Sequence, residues 1–391
     1  MQGEPAVSPS KEFEAINILH SITGLNIGGA EYLLARLLPN LRSAEISSTV
    51  FSLMTPGPLA AMVSENAGIV SLGLPQGKLP LLKLPAVHAA FRTIKADIVH
   101  GWMYHGNIAA SAGRFFAAKK APVIWSVHHS IYDIATEKPL TQKLIRLSAM
   151  LSHRTRAIIY CSRVAADQHE AIGFEAGRRV IIYNGVDCDE FKPDAESKER
   201  LSNLLGLPAR RLIIGSIGRF HPMKSQADLL RACASLIRAG HDIQCLFVGP
   251  GHEDSPLIGL AKELGIADRT STLGQNTEIP SIMPGLDIHA ISSAWGEAYS
   301  LATAEAMACG VPTVVTDVGD CAWVVGNTGL VVPRQDPEAL AGALQKLIEA
   351  GSDGRRNIGR SARQRVSDKF SMTEYARNHA ELYGDILQAD K

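Results

Sequence analysis

Two glutamates stand eight positions apart in the stretch GEAYSLATAEAMACG (296–310). Glu297 lies in a glycine-led turn, and Glu305 lies inside the alanine-rich helix expected to follow. Two carboxylates held at one point would do general acid/base work. A turn plus one to two helical turns, at about 1.5 Å of rise per residue, is poor geometry for such a pair. The spacing suits carboxylates that accept hydrogen bonds from hydroxyls at two ends of one extended ligand, such as a sugar-bearing one. The backbone amides of Tyr299, Ser300 and Leu301 open the helix and can face a phosphate or a sugar. The plainer alternative is one glutamate favoured by the helix dipole and a second that is merely solvated.

Three further clusters sit where a strand pattern runs into a helix pattern. In TGLNIGGAEYLLARLL (23–38), Gly28 and Gly29 let the backbone approach an anion at a helix N-terminus. The motif is not G-x-G-x-x-G, which argues against a dinucleotide oxidoreductase. In GRFHPMKSQADLL (218–230), Arg219 and Lys224 straddle a proline turn just before a helix. A diphosphate there would meet two cations and free N–H groups, whereas the alternative is two solvated charges. In VIWSVHHSIYDI (123–134), His128 and His129 follow a buried strand. Adjacent residues of an extended chain point to opposite sides, so at most one belongs to a site. Asp187-Cys188-Asp189 resembles a metal-holding D-x-D but lies in a polar linker, where a turn element is the expectation.

The elements that must carry these residues alternate. INILHSI (16–22), STVFSLM, ADIVHGW, PVIWSVHH, AIIYCS and RVIIYNG read as short strands separated by helical stretches. The pattern pauses at the polar segment 184–211 and restarts with LIIGSIGRF (212–220). IQCLFVGPG, TSTLGQ, LDIHAIS and VPTVVTDVG follow, again with helices between. This predicts an α/β protein of two Rossmann-like domains, each with a parallel sheet, facing a central cleft. The expected divisions are a disordered lead-in at 1–15, a first domain over 16–195 and a second over 208–370. The last helical stretch, 371–389, has no strand after it.

Bulk properties narrow the classes. The 391 residues exceed one ordinary core, 46% are hydrophobic, and basic and acidic residues balance at 39 each. No global field favours nucleic acid. The six cysteines form no C-x-x-C and no zinc spacing, which points to free thiols in a reducing cytoplasm. The N-terminus lacks the apolar core of a signal peptide, and no apolar run reaches membrane-spanning length. The basic, apolar stretch GKLPLLKLPAVHAAFRTIK (77–95), with Arg114, Lys119 and Lys120, could lie on the inner, anionic face of a membrane or be an ordinary amphipathic helix.

With these stretches in this order, the chain resembles the retaining glycosyltransferases of family 4, which have the GT-B fold. The resemblance covers nearly everything beyond the first fifteen residues. Its most specific element is the E-x7-E pattern of Glu297 and Glu305; YNGVD before the linker, GRFHPMKS after it and the N-terminal GGAE match in position. The resemblance implies that Glu297 contacts the donor sugar and Glu305 the nucleotide ribose. It implies that Arg219 and Lys224 bind the donor diphosphate, that the Gly28-Gly29 loop closes over the donor, and that His128 lies near the sugar. The LGQ segment, with Gly274 and Gln275, corresponds to the one whose backbone reads the base. The final helix is expected to cross back to the first domain. Three departures stand out: Glu297-Ala298-Tyr299-Ser300 replaces Glu-Gly-Phe-Gly, Lys224-Ser225 replaces Lys-Gly, and Val318-Gly319-Asp320 replaces a common Gly-Gly.

The expected activity is transfer of a sugar from a UDP- or GDP-sugar to a hydroxyl of a glycan or lipid-linked acceptor, with retention, in cell-surface polysaccharide synthesis. The donor is a substrate; no resident cofactor and no metal site are expected. Two rivals remain. One is a sugar-nucleotide epimerase of the same fold, and the other an inactive sugar-nucleotide-binding assembly subunit.

Overall fold

A computed structural model describes residues 16–75, 89, 91–114, 120–276 and 278–389. The expected lead-in, Lys119 and most of the basic stretch at 77–95 lie outside the described residues.

The first sheet contains β1 (Asn17–Ile22), β2 (Ser47–Met54), β3 (Gly68–Leu74), β4 (Ile98–Trp102), β5 (Val123–Val127), β6 (Ala157–Tyr160) and β7 (Arg179–Ile181), in the order β3-β2-β1-β4-β5-β6-β7. The second contains β8 (Leu212–Ile217), β9 (Ile243–Val248), β10 (Thr270–Leu273), β11 (Ile288–Ile291), β12 (Thr313–Thr316) and β13 (Leu330–Val332), in the order β10-β9-β8-β11-β12-β13. Every strand pairing in both sheets is parallel. Parallel strands need crossovers, and crossover helices cover both faces. The central strands are accordingly buried along their whole length and read as continuous apolar runs: IVHGW, VIWSV, IQCLFV, IHAI.

In both sheets the winding direction reverses beside the first strand, between β1 and β4 and between β8 and β11. Such a reversal leaves a crevice at the carboxyl ends of the two strands, where ligands of open α/β sheets bind. The Gly28-Gly29 turn follows β1, and the Arg219–Lys224 turn follows β8. Glu297 follows β11.

Two strands escape the sequence pattern. β3 is GIVSLGL, interrupted by Gly73 and only partly buried, and β13 is three residues long. Both are sheet edges, where weaker burial leaves a weaker apolar signal.

The final helix, Met372–Ala389, does cross back. Tyr375, Tyr383 and Ile386 pack in the same core as Ile18 of β1 and Ile98 of β4. The helix before it, Gly351–Lys369, buries Ala362 and Val366 in the core of the second sheet. The chain passes from one unit to the other at Phe370–Ser371, where Ser371 bridges to Val186. Gly185, in YNGVD, makes this crossing possible: a Cβ there would come within 2.5 Å of Met372 Sδ and 2.8 Å of Tyr375 Cβ.

Candidate functional site

Beyond β8 the chain turns through His221–Lys224, and Ser225 enters the helix Gln226–Arg238 in a left-handed conformation (φ 43°). Beyond β11 it turns through Ser292–Ser300, and Ser300, also left-handed (φ 58°), opens the helix Leu301–Ala308. Glycine is the usual residue at such backbone angles. Serine here takes up, at both turns, a left-handed backbone that usually falls to glycine. The two turns are stitched together: Ala294 N donates to Met223 O (2.8 Å), and Ser292 Oγ donates to Lys224 O (3.0 Å).

Between them Lys224 Nζ donates to Glu297 Oε1 at 2.6 Å, and Ser293 Oγ donates to the same oxygen at 2.6 Å. Glu297 is buried, yet its other oxygen, Oε2, has no partner among the described residues and has acceptor capacity to spare. The N–H groups of Tyr299, Ser300 and Leu301 likewise have no protein partner among the described residues. Tyr299 contributes through its backbone, because its ring is buried against Tyr183 and Phe370. Arg219 is exposed on the same turn as Lys224 and forms no ion pair among the described residues. Burial first, then Arg219 and Lys224, hold the imidazole of His221 below its ordinary pKa. The turn thus brings two cations together, Arg219 unpaired among the described residues and Lys224 paired with Glu297, an arrangement that suits a polyanion.

Glu305 lies in different surroundings. Its carboxyl is raised to about 7, chiefly by burial, which Arg36 of the helix Gly29–Ser43 opposes and Glu190 reinforces. Its carboxylate has no hydrogen-bond partner among the described residues. The two glutamates thus have separate surroundings, Glu297 paired with Lys224 and Glu305 within electrostatic reach of the Arg36–Glu190 ion pair. Gly28 caps that first helix, and a Cβ on Gly29 would meet nothing within 4 Å, so the loop is open to a ligand. Gly274 and Gln275 follow β10, two strands from β8. The exposed Glu253 carboxylate lies over Gly274.

His128 sits just past β5. Its Nδ1 is 2.9 Å from Asn184 Oδ1, so Nδ1 carries the proton and Nε2 is a bare acceptor, buried without a partner. Burial lowers its pKa to about 4, so the ring is neutral at physiological pH, and it stacks on Trp102 at 5.4 Å. His129 takes another direction and contacts Glu137 at 2.8 Å. The loop that follows reaches the second unit, where the Tyr132 ring lies 6.2 Å from Trp295 and Ala298 packs on the first unit's core. Asp187 forms a turn, its Oδ1 accepting from Asp189 N and Glu190 N at 3.0 Å each.

Sequence reasoning did not find Ser293, Asn184 or Arg36. Each lies in a segment that reads as ordinary strand end, linker or helix, and no local spacing marks it.

The paired parallel sheets, with a cationic turn and a buried carboxylate at the second crevice, define a glycosyltransferase of the GT-B architecture. The model of "Glycosyltransferase Family 4" matches residues 27–190, and that of "Glycosyl transferases group 1" matches residues 197–365. The chain belongs to glycosyltransferase family 4. It is 26% identical to the D-inositol 3-phosphate glycosyltransferase of Salinispora tropica, over 94% of this chain and 83% of that one. It is 26% identical to the N-acetyl-alpha-D-glucosaminyl L-malate synthase of Bacillus anthracis, over 75% and 76%. Among solved structures, Anabaena Alr3699/HepE in complex with UDP superposes with a TM-score of 0.79 at 21% identity, covering 95% of this chain and all of that one. A glycosyltransferase of Rickettsia africae gives 0.80 at 20% identity, covering 96% and 99%.

Proposed function

We propose that the protein transfers a sugar, with retention of anomeric configuration, from a UDP- or GDP-sugar to a hydroxyl of a glycan or lipid-linked acceptor in cell-surface polysaccharide synthesis. The observation that carries this reading is the Lys224–Glu297 contact at the β8/β11 crevice, beside the unpartnered amides of Tyr299–Leu301. Glu297 Oε2 holds a sugar hydroxyl, Glu305 the ribose diol, and the Gly28-Gly29 loop covers the donor. The sugar C1–O bond breaks with its electron pair going to the diphosphate. Arg219, Lys224 and the free amides stabilise the new charge, so the reaction as proposed uses no metal. The acceptor oxygen bonds to C1 on the same face, and its proton passes to a diphosphate oxygen. His128, neutral with Nε2 as acceptor, orients the sugar from the other unit. The UDP in complex with Alr3699/HepE favours uridine as the base.

The test is a thermal-shift screen against UDP, GDP, ADP and their sugars, followed by nucleotide release with and without glycan acceptors. One nucleotide should raise the melting temperature by a few degrees, and release should require an acceptor. A sugar-converted product without acceptor would select the epimerase, binding without release under any acceptor the assembly subunit, and no shift with any nucleotide would sink the reading.

For the acceptor, we propose a lipid-linked glycan reached at the inner face of the membrane. No helix of the described residues is long and apolar enough to cross a bilayer, so the contact would be peripheral. Residues 138–156 carry five basic and no acidic side chains. On the helix Pro139–Ser152, Leu140, Leu147 and Met150 are exposed among them. Arg114, Lys120, Arg154 and Arg156 line a neighbouring pocket of about 220 Å³. Basic side chains around exposed apolar ones suit an anionic surface. The protein should sediment with phosphatidylglycerol vesicles and not with phosphatidylcholine vesicles. The double variant Lys143→Glu/Arg146→Glu should lose most of that binding, and unchanged sedimentation would dismiss this surface.

A further inference from the structure

Asp320, which replaces a common glycine of the family, lies between β12 and the short helix Cys321–Val325. Its backbone serves the donor turn: Asp320 N donates to Ala298 O at 3.0 Å. Gly319 (φ 59°) passes so close that a Cβ would lie 2.1 Å from the Glu297 carbonyl oxygen. Its side chain leaves its own unit. Oδ2 accepts from Arg163 N (2.8 Å) and from the Tyr183 hydroxyl (3.0 Å), and Oδ1 accepts from Val164 N (3.1 Å). Arg163 and Val164 are the first two residues of the helix Arg163–Ala171, which follows β6 in the first sheet. Ser162 Oγ accepts from the third, Ala165 N, at 3.0 Å. A helix leaves its first four N–H groups without internal partners and carries positive partial charge there. Two of those groups are thus satisfied from the opposite unit by a buried carboxylate. The surrounding contacts cross the same boundary: the Arg163 guanidinium lies 4.3 Å from the Trp323 ring, and the Tyr183 ring stacks on Trp323 at 6.1 Å.

We propose that Asp320 is a positioning residue that locks the donor-binding turn of the second unit to the first turn of Arg163–Ala171, and so sets the angle at which the two units face each other. One residue grips both sides: its N–H holds the strand of backbone that carries Glu297, and its carboxylate holds the unit that carries His128. Donor contacts come mainly from the second unit, so binding does not need the clasp. Transfer needs His128 and the acceptor at the sugar, so turnover does. The inference rests on the reading of the Glu297 turn as the donor site.

The clasp can be cut from either end. Arg163→Pro deletes one donated N–H at the first helical position, where proline is well tolerated. The preceding Ser162 (φ −160°, ψ 160°) already has the extended backbone that a following proline requires. Arg163→Ala controls for loss of the stacked side chain. Asp320→Asn keeps size and shape but removes the charge and turns a donor toward one of the N–H groups. Arg163→Pro relative to Arg163→Ala, and Asp320→Asn relative to the natural protein, should lower kcat about tenfold or more, leave the UDP Kd within about twofold, and widen the molecule in small-angle scattering. An unchanged kcat would overturn the proposal, as would UDP affinity that falls in step with kcat. If the natural protein transfers no sugar, the donor reading fails, and scattering still decides the clasp: unchanged dimensions in both cut variants refute it.

Discussion

Replacing Lys224 by alanine should lower turnover about a thousandfold. The side chain is half-buried and aimed at the crevice by two constraints, the turn that ends at Ser225 and its bond to Glu297 Oε1. It need not reorganise when the diphosphate gains charge, and removing one such preorganised donor typically costs about a hundred- to a thousandfold in rate. Arg219 is exposed and less constrained, so Arg219→Ala should cost less than Lys224→Ala. Glu297→Ala removes the proposed sugar contact and also frees Lys224 from its partner, so it should impair donor binding as well as rate. The measurement is steady-state nucleotide release with saturating acceptor. Wild-type turnover in both Lys224→Ala and Glu297→Ala would place the chemistry elsewhere.

Donor affinity should weaken about tenfold between pH 8 and pH 6, and Glu305 is the cause. Burial raises its carboxyl to about 7. The ribose diol donates two hydrogen bonds, and only the ionised carboxylate offers acceptors on both oxygens. Binding therefore favours the charged form. Affinity is nearly complete at pH 8, about half of that at pH 7, and falls about tenfold per unit once pH drops well below 7. UDP-glucose is the appropriate probe, because its diphosphate is a diester and holds its charge across this range. Titration calorimetry should show the dependence in the natural protein and its absence in Glu305→Gln, which binds weakly at every pH. A Glu305→Gln variant with the original pH profile would detach Glu305 from the ribose.

Much of this site was legible as local pattern. Strand-then-helix alternation located eleven of the thirteen strands among the described residues, because buried parallel strands are unbroken apolar runs between helical periodicities. The two omissions, β3 and β13, are edge strands with mixed burial. The eight-residue spacing read as poor geometry for a carboxylate pair. In the structure Glu297 pairs with Lys224, and Glu305 lies within electrostatic reach of the Arg36–Glu190 ion pair. The replacement of glycine by Ser225 and Ser300 was visible, but its outcome was not. Whether serine takes up a left-handed backbone depends on what holds the turn, here the bonds of Ser292 and Ala294 to Lys224 and Met223.

By itself the sequence determined the two α/β units, the order of their buried strands along the chain, and the glycine, cationic and glutamate turns at strand ends. Those features are local, set by side-chain period and by the backbone freedom of single residues. Only the tertiary structure decided which turns meet. Lys224 and Glu297 are neighbours because β8 lies beside β11 and not beside β10, and periodicity carries no record of strand order. Asn184 finds His128, Arg36 finds Glu190 and Asp320 finds the first turn of Arg163–Ala171 for the same reason. Each is a polar group brought to a partner by the packing of apolar strands and helices far from it.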